Sequence, residues 1–164
     1  MSDKAMEVYL NDHLAGATFG SDLARQIESQ TDGTPLGATI GELATQIADD
    51  RRTLSELMER MGVATNPAKQ ATTWLAEKVS RVKLSGRTSG GNEVGLFMAL
   101  ETLSLGVEGK ASLWRMLKHV EGRYPALDAS RLDALIRRAE AQREVLEAER
   151  STTGRRVFAN PGSG

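Results

Sequence analysis

The chain has no cysteine among its 164 residues, which removes thiolate nucleophiles, thiolate metal sites and disulfides and makes a reducing cytoplasm the expected compartment. An excess of charge of either sign is also missing: 21 lysines and arginines against 22 aspartates and glutamates leave a net charge of −1. Such balance provides no general attraction to nucleic acid or to an anionic membrane, and neither is an expected partner. Histidine is limited to His13 and His119. The opening stretch MSDKAMEVYLNDHL carries acids at Asp3 and Glu7 and lacks the apolar core of a signal peptide. No run approaches about eighteen unbroken apolar residues, so no membrane span is expected. Strand-like alternation is absent as well.

What remains is helical periodicity. The longest apolar stretch, residues 92–122, places Leu96, Leu100, Leu103, Val107, Ala111, Trp114 and Leu117 in one band. Met98, Leu105 and Met116 widen the arc past half the circumference, which predicts burial on more than one side. Gly95, Gly106 and Gly109 collect on a third sector with Thr102. A helical glycine costs roughly 1 kcal/mol against alanine, a cost most easily understood if another helix comes close there. Gly16 and Gly20, one turn apart on the first helix, are the expected partners of that close packing.

In chain order, Met6, Leu10, Ala17, Ala24 and Ile27 predict a first long helix over 3–30, and TDGTPLGAT turns the chain. Ile40, Leu43, Ala44, Ile47, Leu54, Leu57 and Met58 predict a second helix from 36 or 39 to 61, capped by Gly62. A shorter helix is expected over 67–83, followed by the loop SGRTSGGN. After the central helix, Pro125 breaks the chain and Asp128 is the expected cap of a last helix to about residue 150. A single bundle domain over 1–153 and a disordered tail over 154–164 follow from this reading.

Four long helices with short first and third connections and a long, helix-containing second one resemble the ferritin-like fold, over about residues 3–153. That resemblance implies an all-α bundle with a crossover between its second and third helices. It also implies a di-metal site built from glutamates and Glu-x-x-His pairs, all pointing inward. Here Glu42-Leu-Ala-Thr45, Glu56-Leu-Met-Glu59, Glu140-Ala-Gln-Arg143 and Glu144-Val-Leu-Glu147 each lack the histidine, so no metal ligand carries over and no cofactor is expected.

Polar residues interrupt the apolar stripes at His13, at Asp50 and Arg51, and at Gln142 and Arg143. One reading is a mid-bundle polar layer in which Asp50 pairs with Arg143 or Arg51. The other has these residues at stripe edges with their tips in water. Glu101, Glu108 and Arg115 recur every seven residues as a solvated strip, with His119 on the same face. Lys78, Arg81, Lys83 and Arg87 form a positive patch without aromatic interleaving. No nucleophile with a defined base emerges, so the reading leans against an enzyme and names no catalytic residue. The expected function is a non-enzymatic bundle acting through protein interaction or self-association, as a homodimer. The alternatives are an unorthodox Asp/Glu/His metal site and a small-molecule carrier lined by methionine or tryptophan.

Overall fold

A computed structural model describes residues 3–65 and 91–159. Asp3 caps the first helix, α1 (Lys4–Gln30), by accepting from the Ala5 N–H at 3.1 Å. Its buried stripe includes Leu10, Leu14, Leu23, Ala24 and Ile27. Gly33, at φ 75°, reverses the chain, and the Thr34 hydroxyl accepts from the Gly37 N–H at 3.0 Å to open α2 (Pro35–Arg60), with proline in its first turn. The turn is tight: a Cβ on Gly37 would lie 2.2 Å from the Thr31 carbonyl oxygen.

α2 ends in a Schellman motif. Gly62 adopts φ 68°, its N–H reaches Glu59 O at 3.0 Å, and the N–H of Val63 reaches Met58 O at 2.9 Å. Gly62 is thus the cap its sequence position suggests. The shorter helix expected over 67–83 and the basic patch from Lys78 to Arg87 lie outside the described residues.

The third helix, α3 (Gly91–His119), buries Leu100, Leu103, Val107, Ala111, Trp114 and Leu117. It stops three residues short of the expected end, passing into a short 3-10 turn at Glu121–Arg123. Met98, Leu105 and Met116, expected to be buried, are 41%, 62% and 46% exposed, so α3 packs on its principal band alone. The last helix, α4 (Ala129–Ala159), starts where Asp128 accepts from the Arg131 N–H at 2.7 Å.

It then runs past the expected end near residue 150. Thr153 and Gly154 are buried there, and a Cβ on Gly154 would lie 2.9 Å from the Phe97 ring. Phe158 meets Phe97 edge-on at 5.3 Å. Residues 154–159 therefore continue a helix packed on α3 and are not a tail.

The result is an all-α four-helix bundle. α1 packs closely on α2 and α3 on α4, α1 and α3 meet less extensively, and α2 and α4 touch at few points. Direction follows from side chains. Asp3, at the start of α1, meets Arg123 and Tyr124 just past the end of α3, so α1 and α3 are antiparallel. The contacts of Glu56 with Arg131, Asp50 with Arg138 and Gln46 with Gln142 make α2 and α4 antiparallel too. α2 and α3 consequently run parallel, and the link between them joins opposite ends of the bundle. Among the described residues no helix is long and apolar enough to cross a membrane.

Candidate functional site: a polar knot beside an apolar cavity

Where α2 faces α4 with few close backbone contacts, long polar side chains fill the gap. Asp50 and Gln142 are each only 2% exposed, and Gln142 Nε2 donates to Asp50 Oδ2 at 3.1 Å. Gln142 Nε2 also donates to Gln46 Oε1 at 3.1 Å. From α3, Lys110 Nζ donates to both Asp50 Oδ2 and Gln142 Oε1. From α4, Arg138 Nη2 donates to the Gln46 carbonyl at 2.8 Å, and its Nε lies 3.3 Å from Asp50 Oδ1. That last contact is held by charge, since neither atom makes an aligned hydrogen bond. Burial of an ion this deep is costly unless partners surround it, and here Asp50 has a cation at each oxygen. Burial also pulls the Lys110 ammonium below the usual lysine range, against the attraction and hydrogen bond of Asp50 and with the help of nearby Arg138.

A buried polar layer therefore exists, with different membership from the expected one. Asp50 and Gln142 belong to it. Arg51 is exposed and donates from Nε to the Thr18 hydroxyl at 3.1 Å. Arg143 is exposed and pairs with Glu108 at 2.6 Å. Both guanidiniums sit at stripe edges, where a long side chain reaches water more cheaply than it can be buried.

Lys110, Arg138 and Gln46 are the members that periodicity reading missed. Lys110 did leave a signal: Leu96, Leu103 and Leu117 repeat every seven residues, and Lys110 stands at the vacant step of that series. Glu101, Glu108 and Arg115 form a partly solvated strip of weak pairs, with Arg150, Arg143 and Glu140 of α4 as partners and Glu108 also meeting Arg115. His119 is exposed at the end of α3.

Next to the knot, between α1 and α3, lies a cavity of about 430 Å³. Gly16 and Gly20 line it from α1, and Gly106 and Gly109 from α3. These are four of the five glycines expected to mark close helix packing, and the space beside them is open: a Cβ on any of the four would meet nothing within 4 Å. The absent side chains leave room for a void in place of a helix contact. Gly95 is buried farther up α3 and does not line the cavity.

Phe19, Ile47, Leu54, Leu103, Val107 and Trp114 form much of the apolar wall, and Asp50 and Lys110 border it on the knot side. His13 also lines the cavity, its ring edge-on to Tyr9 at 4.6 Å, and so takes no part in the knot. Burial lowers its pKa, partly opposed by Asp12, so the neutral imidazole is favoured. Trp114 is 1% exposed, and its indole N–H has no hydrogen-bond partner among the described residues.

Chemically, then, the site offers an apolar wall, buried hydrogen-bond donors and an ion cluster of one carboxylate with two cations. Among the described residues no three histidine, aspartate or glutamate side chains converge to hold a metal ion. No protein-family model, curated protein or solved structure matches this chain.

Proposed function

We propose that the chain is a non-enzymatic bundle of ferritin-like architecture that carries a small apolar molecule between α1 and α3. The architecture is supported by the helix directions, in which α2 and α3 are parallel and their link joins opposite ends. The carrier reading rests on one observation, the cavity of about 430 Å³ walled by apolar residues with a few polar groups at one side. Its volume lies within the range of small-molecule sites, about 300–1,000 Å³. The test is native mass spectrometry of the protein purified without detergent, together with titration of an apolar fluorescent probe. A bound mass or a saturable one-to-one titration, lost in Gly106→Leu, is the expected result. A Cβ at Gly106 meets nothing within 4 Å, so the leucine side chain enters the void from its wall. No bound mass together with a non-saturable titration sinks the reading.

A second reading, self-association as a homodimer, is favoured by a separate observation. Val94, Met98, Leu105 and Met116 are all exposed and fall within about 40° of one another around α3. Light scattering of the native chain and of Leu105→Glu decides it, a dimer that the glutamate converts to monomer being the expected outcome. A monomer at every concentration removes it.

A further inference from the structure

We infer that the cavity takes apolar molecules ending in a carboxylate, with the carboxylate seated against Lys110 and Trp114. This rests on the carrier reading and adds the chemical class of the cargo. Two donors motivate it. The indole N–H of Trp114 is buried without a partner among the described residues, and an unmet buried donor is costly unless something accepts from it. Lys110 carries three ammonium hydrogens, and among the described residues its acceptors are Asp50 and Gln142, which leaves one hydrogen over. Both side chains line the cavity.

The local charge points the same way. Asp50 is matched twice, by Lys110 on one oxygen and by the half-buried Arg138 on the other, so Lys110 is not its sole counter-ion. Asp49 lies 3.8 Å from Arg138 and pairs more closely with Arg52, at 2.8 Å. Of the remaining charged groups on the cavity wall, Asp12 and Arg51 are exposed and of opposite sign, and His13 favours its neutral form. The inner wall thus offers the Trp114 and Lys110 donors, and the rest is largely apolar. A carboxylate answers this arrangement, because it accepts from two donors at once and makes a charge-assisted bond with the Lys110 ammonium.

The test compares decanoate, decan-1-ol and methyl decanoate as ligands of the whole chain near neutral pH, by calorimetry and by the Trp114 indole N–H resonance, with Trp74→Phe identifying that resonance. Decanoate is expected to bind at least about tenfold more tightly than either neutral analogue, and to shift the indole proton. Lys110→Met removes a partner of buried Asp50 and risks unfolding, so the informative variant is K110M with D50N. That pair removes the Lys110 donor without changing the net charge of the cluster, and it should weaken decanoate by about tenfold and decan-1-ol by clearly less. Equal binding of acid and alcohol, or an unmoved indole proton, overturns the carboxylate class while leaving a carrier that Gly106→Leu still blocks. No binding of any of the three to the wild-type chain overturns the class together with the carrier reading beneath it.

Discussion

Asp50 concentrates the energetics of the molecule. Truncating it to alanine strands Lys110 and Arg138 beside a void, and loss of one member of a buried ion cluster costs about 3 kcal/mol or more. Urea unfolding of Asp50→Ala should show a loss of that order, and a change below about 0.5 kcal/mol would mean that the cluster is solvated. In D50N/K110M both charges leave together. Its loss should therefore fall short of the sum of the single losses by about 1 kcal/mol or more. Two glycines make an opposite pair of tests. Gly106→Ala meets no neighbour within 4 Å and should stabilise by up to about 1 kcal/mol through helix propensity. Gly37→Ala, whose Cβ would fall 2.2 Å from the Thr31 oxygen, should lower the urea midpoint, by at least about 1 kcal/mol in stability.

At the scale of the elements, α4 separates what a sequence displays from what packing decides. Its apolar period fades after Val145 and Leu146 because the residues buried farther along are Thr153 and Gly154. Neither is apolar enough to register, and at Gly154 the Phe97 ring of α3 lies where a side chain would be. Arg150 covers the same ring with its guanidinium 5.6 Å from the centroid while binding Glu101 and Glu147. A chain ending at Arg150 should consequently lose at least about 1 kcal/mol of stability in urea and free the Phe97 ring to solvent. An unchanged midpoint would show the last turns to be dispensable.

The long helices and their capping residues were legible because periodicity and turn chemistry act locally. The polar knot was legible in part: a charge in an apolar stripe marks Asp50, yet its partners depend on which helices become neighbours. The glycines misled for a related reason, since a missing side chain signals room without saying whether a backbone or a void occupies it.

For the molecule as a whole, the described residues give acid sensitivity two origins that fall in separate pH windows. His13 has a lowered pKa in the fold, so the unfolded chain binds its proton more readily. The penalty is absent above the ordinary histidine value of about 6.5 and grows as pH falls below it. Thermal melts between about pH 7 and pH 5 should show stability declining, and His13→Gln should flatten that slope. The carboxylates act lower. Asp3 is held down chiefly by the Tyr124 hydroxyl, Asp128 by the Arg131 N–H, and Glu147 by Arg150, the last to about 2. Their contribution is complete above the usual carboxylate range and disappears as pH drops through the lowered values.

The knot of Asp50, Lys110 and Gln142 also constrains the history open to this chain. These side chains come from three different helices, yet each is the answer to the others. A lineage that alters one of them passes through a weakened ancestor before a second change can rescue it. These positions should drift as a set, in steps taken together, while the exposed turns around them vary one residue at a time.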